Sequence, residues 1–214
     1  MTPIERLANL FEKFPGIGPR QAQRFVYHLL TQDGEYVSSL TSLIQDVRSG
    51  VRECAMCFRF FAHGKTTNLC SICSNSERDH TLLMIIERDA DITPIERSKT
   101  YNGLYFVFGG TIPLLDQHHT KKTRGPALRA IIEKRLQEGL KEVILAFSVN
   151  PDGENTTRYV EVQLAPFQEK GLLVSILGRG LSTGSELEYA DAETIKNALK
   201  NRSKQGFLEI PPEE

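Results

Sequence analysis

The chain has 214 residues, of which 40% are hydrophobic and 25% are charged, and its formal net charge is −1. This length allows one large domain or about two to three small ones, and the composition is ordinary for a globular protein. No apolar run approaches the roughly 20 residues that span a bilayer, and no signal-peptide pattern follows Met1, so a cytoplasmic protein without a membrane segment is expected. Because the net charge is close to zero, affinity for nucleic acid must come from local patches.

The first fifty residues predict helices that meet at a glycine corner. Apolar residues repeat at helical spacing from Ile4 to Phe14 and again from Ala22 to Leu29. Between them stands Pro-Gly-Ile-Gly-Pro-Arg at residues 15–20, which ends one helix and begins the next. A further helix is predicted over residues 33–50, with an inner face made of Val37, Leu40, Leu43, Ile44 and Val47. The helix, Gly-hydrophobic-Gly, helix order resembles the helix-hairpin-helix DNA-binding motif.

Four residues of this corner are candidates for DNA contact: Gly16, Gly18, Arg20 and Arg24. Without side chains at the glycines, backbone N–H groups can approach a phosphate at a helix N-terminus, where the helix dipole favours an anion. The two arginines lie one helical turn apart and can add charge-assisted contacts. Phosphate contacts carry no sequence information, so DNA binding without sequence preference is predicted. The alternative is a plain helical turn with two solvated arginines.

The cysteines of the chain form two Cys-x-x-Cys pairs separated by twelve residues: Cys54, Cys57, Cys70 and Cys73. Two such turns can face each other and place four thiolates in a tetrahedron, which is typical of one structural Zn²⁺. The alternatives are two disulfides, expected in a secreted chain, and one redox pair, expected at a strand-to-helix junction. A zinc segment is therefore predicted over residues 51–79. Neither His63 nor His80 is expected to be a ligand, because four thiolates already complete the site.

From residue 80 to residue 180 short apolar runs alternate with helical patterns, which predicts a parallel sheet covered on both faces. The predicted strands are contained in residues 81–87, 104–110, 141–148 and 172–177. Helices are predicted over residues 126–140 and 155–171, and Pro166 is expected to shorten or bend the second one. The predicted fold class is thus α/β, with a helical N-terminal part, a small four-cysteine segment, and a C-terminal helix for which Asp191 is a candidate N-cap.

Acidic residues follow two of the predicted strands. Glu87 closes the first strand, and a loop containing Asp152 and Glu154 follows the third. Ligands meet parallel sheets at the carboxyl ends of their strands, so these acids are expected at one edge. The arrangement resembles the Toprim domain of topoisomerases, primases and some nucleases, in which a Glu and an Asp-x-Asp pair gather Mg²⁺ for phosphoryl transfer. Here Ser148 and Asn150 stand at the two Asp positions.

The two substitutions remove negative charge from a site that needs it. Magnesium prefers charged oxygen ligands, and two-metal chemistry needs several carboxylates, so no catalysis is expected here. The remaining acids, Glu87, Asp152 and Glu154, are then a weak Mg²⁺ site or a surface that presents charge to a partner. The alternative is that they are solvated loop acids.

A basic stretch from residue 117 to residue 135 has a single acid, Glu133, in its C-terminal part. Its cations are Lys121, Lys122, Arg124, Arg129, Lys134 and Arg135, with His118 and His119 alongside. A solvated helix face is the default interpretation of such a run, and a second phosphate-contacting surface is the alternative. The proline-rich, acidic end of the chain is expected to be a loose tail.

Along nearly its full length the chain resembles the bacterial recombination mediator family RecR. The resemblance rests on Pro-Gly-Ile-Gly-Pro-Arg with the later Ala-Gln-Arg-Phe, the cysteine spacing, Ile-Ile-Glu, and the C-terminal Gly-Arg-Gly-Leu and Leu-Glu-Tyr-Ala-Asp. It implies a helix-hairpin-helix region at 1–50, a zinc finger at 51–79, a Toprim domain at 80–180, and a Walker-B-like segment with tail at 181–214.

The resemblance also implies a function. The family forms a dimer or tetramer ring that clamps DNA, and it acts with RecO and RecF to load RecA on gapped DNA. Arg20 and Arg24 would contact DNA, while Glu87 and Asp152 would serve partner and DNA contacts. A non-enzymatic DNA clamp and adaptor is the favoured hypothesis. The alternatives are a magnesium-dependent nuclease or primase-like enzyme, and a zinc adaptor that binds only proteins.

Overall fold

The computed structural model describes residues 1–62, 67–115, 123–178, 180, 181, 184 and 186–201. The chain divides into two compact units, one formed by residues 1–52 and 61–67 and the other by residues 53–60 and 68–214. The predicted helical N-terminal part, cysteine cluster, parallel α/β region and C-terminal helix are all present, so the predicted fold class is confirmed.

The first unit is helical and has a small core. It contains α1 (Pro3–Phe11), α2 (Pro19–Thr31) and α3 (Gly34–Gly50). Helix α1 begins at a capping box in which Thr2 and Glu5 exchange hydrogen bonds, which satisfies N–H groups that a helix start leaves open. The core of this unit consists of Ala8, Ala22 and Val26, with Leu7, Phe11 and Ile17 packed around them.

The prediction that one face of α3 is buried is wrong for the C-terminal half of the helix. Leu43, Ile44 and Val47 are 58%, 61% and 62% exposed, whereas Val37 and Leu40 are half-buried. Helical periodicity identifies an apolar face but not the surface that covers it. In this single chain the end of that face is open to solvent.

The second unit is built on a four-stranded parallel sheet. Its strands are β3 (Asp79–Ile86), β4 (Gly103–Val107), β5 (Glu142–Ala146) and β6 (Leu173–Ile176), in the order β4-β3-β5-β6. Two shorter strands, β1 (Val51–Glu53) and β2 (Phe60–Ala62), form a separate two-stranded sheet. Ile86 pairs with both Val107 and Ala146, so the three strands reach their carboxyl ends in register.

The helices of this unit differ from the prediction in two places. A 3-10 turn (Asp89–Asp91) leads into α4 (Ile92–Ser98), which the sequence did not suggest. Helix α6 (Pro151–Gln168) begins four residues before its predicted start. The remaining helices are α5 (Gly125–Gln137) and α7 (Ala192–Lys200), and Asp191 caps α7 as predicted by accepting from the N–H groups of Glu193 and Thr194.

Pro166 does not end helix α6, which continues to Gln168. A proline removes the hydrogen bond to the carbonyl four residues earlier, here that of Val162. Val162 is 70% exposed, so that carbonyl lies on the solvent side of the helix, where water can satisfy it. None of the described helices combines the length and apolar content needed to cross a membrane.

Candidate nucleic-acid interface and metal centre

The predicted glycine corner forms between α1 and α2. Gly16 has φ +76°, a left-handed conformation that glycine adopts without strain. Gly18 is the N-cap of α2 and offers no side-chain cap, and Pro19 occupies the first helical position. A Cβ at either glycine would meet nothing within 4 Å. The backbone at the start of α2 is therefore open, which suits the approach of an anion.

The two arginines of the corner are both exposed. They follow Gly18 on the first and second turns of α2, and the Arg24 guanidinium donates to Gln21 Oε1 at 3.4 Å. No carboxylate within the described residues forms an ion pair with Arg20 or Arg24. Their charge is therefore available to a phosphate.

The four cysteines come together as predicted. Their Sγ atoms all lie within 4.8 Å of one another, all four residues are buried, and none is in a disulfide. The Sγ atoms of Cys57 and Cys70 are 3.6 Å apart. A tetrahedral zinc site with Zn–S bonds of about 2.3 Å needs sulfurs about 3.8 Å apart, so the donor set fits Zn²⁺.

Local hydrogen bonds shape both Cys-x-x-Cys turns. The Phe58 N–H donates to the Cys54 carbonyl at 2.9 Å, and the Ser74 N–H donates to the Cys70 carbonyl at 3.0 Å. The Cys70 N–H donates to Cys54 Sγ at 3.4 Å, which joins one turn to the other. Phe58 has φ +60°, a conformation that is uncommon for a non-glycine residue and that closes the first turn.

The crowded thiols cannot all ionise together without a cation. Contact with Cys57 lowers the pKa of the Cys54 thiol, and contact with Cys54 raises the pKa of the Cys57 thiol. One thiolate in the cluster therefore opposes the formation of the next. A bound divalent cation removes that conflict, since it lets four thiolates coexist in one buried site.

The cysteine segment is fastened to the α/β sheet. The Val107 N–H, at the end of β4, donates to the Cys57 carbonyl at 2.8 Å, and the Phe58 and Phe106 rings pack edge to face at 5.4 Å. Arg124 forms an ion pair with Glu53 at 2.6 Å and lies over the Phe58 ring at 5.6 Å. The candidate metal centre is thus part of the second compact unit.

Two cations of the basic stretch point into the fold rather than into solvent. Arg124 is half-buried in the contacts just described, and Arg135 is 2% exposed, with Nη2 3.6 Å from Cys73 Sγ. Arg129 and Lys134 are exposed, as a solvated helix face requires. Other residues named in the sequence lie outside the described part of the chain: His63, His118, His119, Lys121, Lys122 and the tail from residue 202.

The predicted acids do not form a group that could share a metal ion. Glu87 is 7% exposed and accepts a hydrogen bond from Ser148 Oγ, while Arg88 pairs with its other oxygen at 2.8 Å. Asp152 Oδ1 accepts from the Leu114 N–H at 3.1 Å. Glu87 lines a cavity of about 320 Å³, and Glu154 lines a different one of about 680 Å³. Among the described residues, only the cysteines form a group of three or more metal-ligating side chains close enough to share an ion.

The loop that was predicted to carry Asp152 and Glu154 is the first turn of α6. Asn150 is its N-cap, because its side chain accepts from the Gly153 N–H at 2.8 Å, and Pro151 occupies the first helical position. An Asn-Pro pair is a helix-start signal, so the sequence contained this information. Ser148 and Glu87, which share a hydrogen bond, are far apart in the sequence, so the local sequence pattern could not reveal their contact.

Comparison with known proteins covers nearly the whole chain. The family model "RecR, helix-hairpin-helix" matches residues 4–48, "Toprim domain" matches residues 81–178, and "RecR, C-terminal" matches residues 180–203. The chain is 35% identical over 205 residues to "Recombination protein RecR" of Prochlorococcus marinus (strain MIT 9312), which covers 94% of this chain and 96% of the relative. It is 34% identical over 201 residues, with the same coverage, to the protein of that name from Staphylococcus aureus (strain MRSA252).

Proposed function

Because the chain belongs to the RecR family of recombination proteins, we propose that it acts in recombinational DNA repair as a non-enzymatic, DNA-binding clamp and adaptor. The observation that carries DNA binding is the open backbone at Gly16 and Gly18, followed by the exposed Arg20 and Arg24. On this proposal the corner binds the sugar-phosphate backbone of DNA without reading its sequence.

The proposal includes several copies of the chain around one duplex. One corner makes few phosphate contacts, so several linked copies would raise affinity by avidity. The exposed apolar side chains at the end of α3, which are Leu43, Ile44 and Val47, favour self-association, since single chains rarely leave such a face uncovered. The family resemblance extends the proposal to a dimer or tetramer ring that works with RecO and RecF to load RecA in the bacterial cytosol.

The metal of the proposal is one structural Zn²⁺ on Cys54, Cys57, Cys70 and Cys73. When bound, it would cross-link two turns and leave no open coordination position, so it would supply stability rather than chemistry. The bacterial cytosol, where thiols stay reduced, suits such a site.

We propose that the protein does not catalyse phosphoryl transfer, because Glu87 and Asp152 in the Toprim region are already held by other contacts. Glu87 is engaged by Ser148 and Arg88, and Asp152 accepts from a backbone N–H. Phosphoryl transfer needs carboxylates gathered around metal ions, and the described acids form no group of three or more close enough to share one. We propose that they contact partners instead of binding Mg²⁺.

The test of the proposal is the double substitution Arg20→Ala with Arg24→Ala. It should weaken binding to duplex and gapped DNA and lower the slope of log affinity against log salt by about one for each lost phosphate contact. A gel-shift or anisotropy titration at several salt concentrations measures both. The matched control replaces Arg97 and Arg158, which are exposed on α4 and α6, by Ala, because it removes the same charge away from the corner.

Unchanged affinity in the Arg20/Arg24 variant would remove the corner from the mechanism. If neither the unmodified protein nor the Arg97/Arg158 control binds DNA, a zinc adaptor that recognises only proteins is the better explanation. Incubating the same mixtures with Mg²⁺ tests the enzyme alternative: cleavage that disappears in Glu87→Gln would refute the non-enzymatic proposal.

A further inference from the structure

Arg135 is a buried cation without full compensation from its charged neighbour. It is 2% exposed, and it lies in the last turn of α5. Its Nη1 pairs with Glu138 Oε2 at 3.2 Å, but the Glu138 side chain is 37% exposed, so water weakens that attraction. Its Nε is buried and has no hydrogen-bond partner among the described residues. A guanidinium in such a position needs negative charge nearby.

The negative charge is available at the metal centre. Arg135 Nη2 lies 3.6 Å from Cys73 Sγ, although the two residues are 62 positions apart in the sequence. Neutral thiols would offer Arg135 only weak acceptors and no charge. Four thiolates around one Zn²⁺ carry a formal charge of −2, and a charge-assisted hydrogen bond from the guanidinium then stabilises both partners. The metal-bound state is thus the state that the buried cation matches.

We propose that Arg135 is an outer positioning residue of the metal centre: it donates to the Cys73 thiolate and offsets the charge of the tetrathiolate, and so sets the affinity of this chain for zinc. This inference rests on the proposed zinc site. It assigns a role to a residue whose sequence context suggests a solvated helix face or a second phosphate-contacting surface. Outer partners of metal ligands fix ligand orientation and commonly change metal affinity by about ten- to a hundredfold.

The experiment measures zinc affinity by equilibrium competition with a chromophoric chelator, using the full chain. Arg135→Met, which removes the charge and the N–H donors, should weaken zinc binding by about ten- to a hundredfold. Arg135→Gln, which keeps N–H donors but no charge, should fall between that variant and the original chain. The matched control is Arg129→Met, an exposed position on the same helix, which should bind zinc as the unmodified protein does.

A second readout separates an electrostatic role from simple packing. With Co²⁺ in place of zinc, the thiolate-to-cobalt charge-transfer band should move to lower energy in Arg135→Met, since a thiolate without its cationic donor gives up an electron more easily. Far-UV circular dichroism establishes which variants are folded. If Arg135→Met does not fold, the same measurements are made on Arg135→Gln.

The outcomes are distinguishable. If the unmodified protein contains no zinc by elemental analysis, the zinc proposal itself fails. If it contains one zinc per chain, but the folded Arg135 variants keep both the affinity and the charge-transfer band of Arg129→Met, only the role of Arg135 is overturned.

Discussion

Gly153 lies where the first turn of α6 meets the residues that follow β5. A Cβ at this position would lie 1.9 Å from the Ser148 carbonyl oxygen and 2.8 Å from the Ser148 carbonyl carbon. Backbone atoms cannot rotate away from such a contact as a side chain can. The absence of a side chain at Gly153 therefore allows Ser148 to stay beside Glu87, with which it shares a hydrogen bond.

Gly153→Ala should destabilise the protein by about 2 kcal/mol or more, because overpacking against fixed atoms forces the backbone to move. Urea unfolding followed by circular dichroism measures this change. Gly34→Ala is the matched control: Gly34 also lies in the first turn of a helix, and a Cβ there meets nothing within 4 Å. The control should be neutral or slightly stabilising. Equal stability of the two variants would contradict the close approach at Ser148.

At the scale of elements, helix α5 holds the cysteine segment at both of its ends. Arg124 precedes its first residue and pairs with Glu53, whereas Arg135 lies in its last turn and reaches Cys73. Helix α6 holds another segment, the residues that follow β4, in a similar way. Its Thr156 side chain accepts from the Ile112 N–H at 2.7 Å, and Asp152 accepts from the Leu114 N–H, so the helix fixes the chain that follows β4.

The start of α6 depends on the side chain of Asn150. Asn150→Ala removes the acceptor for the Gly153 N–H and should cost about 1 kcal/mol of stability, as lost N-caps typically do. Asn150→Asp keeps an acceptor at the same place and should retain most of the stability. Chemical denaturation of the three proteins decides the matter; an Ala variant as stable as the original would show that the cap contributes nothing.

At the scale of the whole molecule, the cysteine segment is too short for a core of its own, and the proposed zinc would cross-link it. It joins the α/β unit through the Val107 N–H, the Phe58–Phe106 contact, and the side chains of Arg124 and Arg135. Loss of the metal would therefore disturb the sheet edge as well as the two turns.

Removing zinc with a strong chelator should lower the thermal unfolding midpoint. Structural zinc contributes on the order of 10 kcal/mol in small zinc domains, and half of that would shift the midpoint of a chain of this size by roughly 10–20 °C. Calorimetry with and without chelator measures the shift. Cys70→Ala should already unfold at the lower temperature and should not respond to chelator. A midpoint that is independent of chelator in the original protein would count against the zinc site.

The sequence pattern was sufficient to predict those features that depend on residues close together along the chain. Cysteine spacing predicted the cluster, strand and helix periods predicted the parallel α/β region, and Gly16 to Pro19 predicted the corner, since each signal is local. Asn150 and Pro151 are a signal of the same local kind, and they mark the start of α6.

Contacts between residues that are distant in the sequence are determined by the tertiary structure. The sequence could not show that Arg135 faces Cys73 rather than water, that Ser148 donates to Glu87, or that Glu87 and Glu154 line different cavities. Nor could it show that the end of the α3 apolar face is uncovered. The physical reason is the same in each case: local pattern determines which face of an element is apolar or charged, whereas packing determines what that face meets.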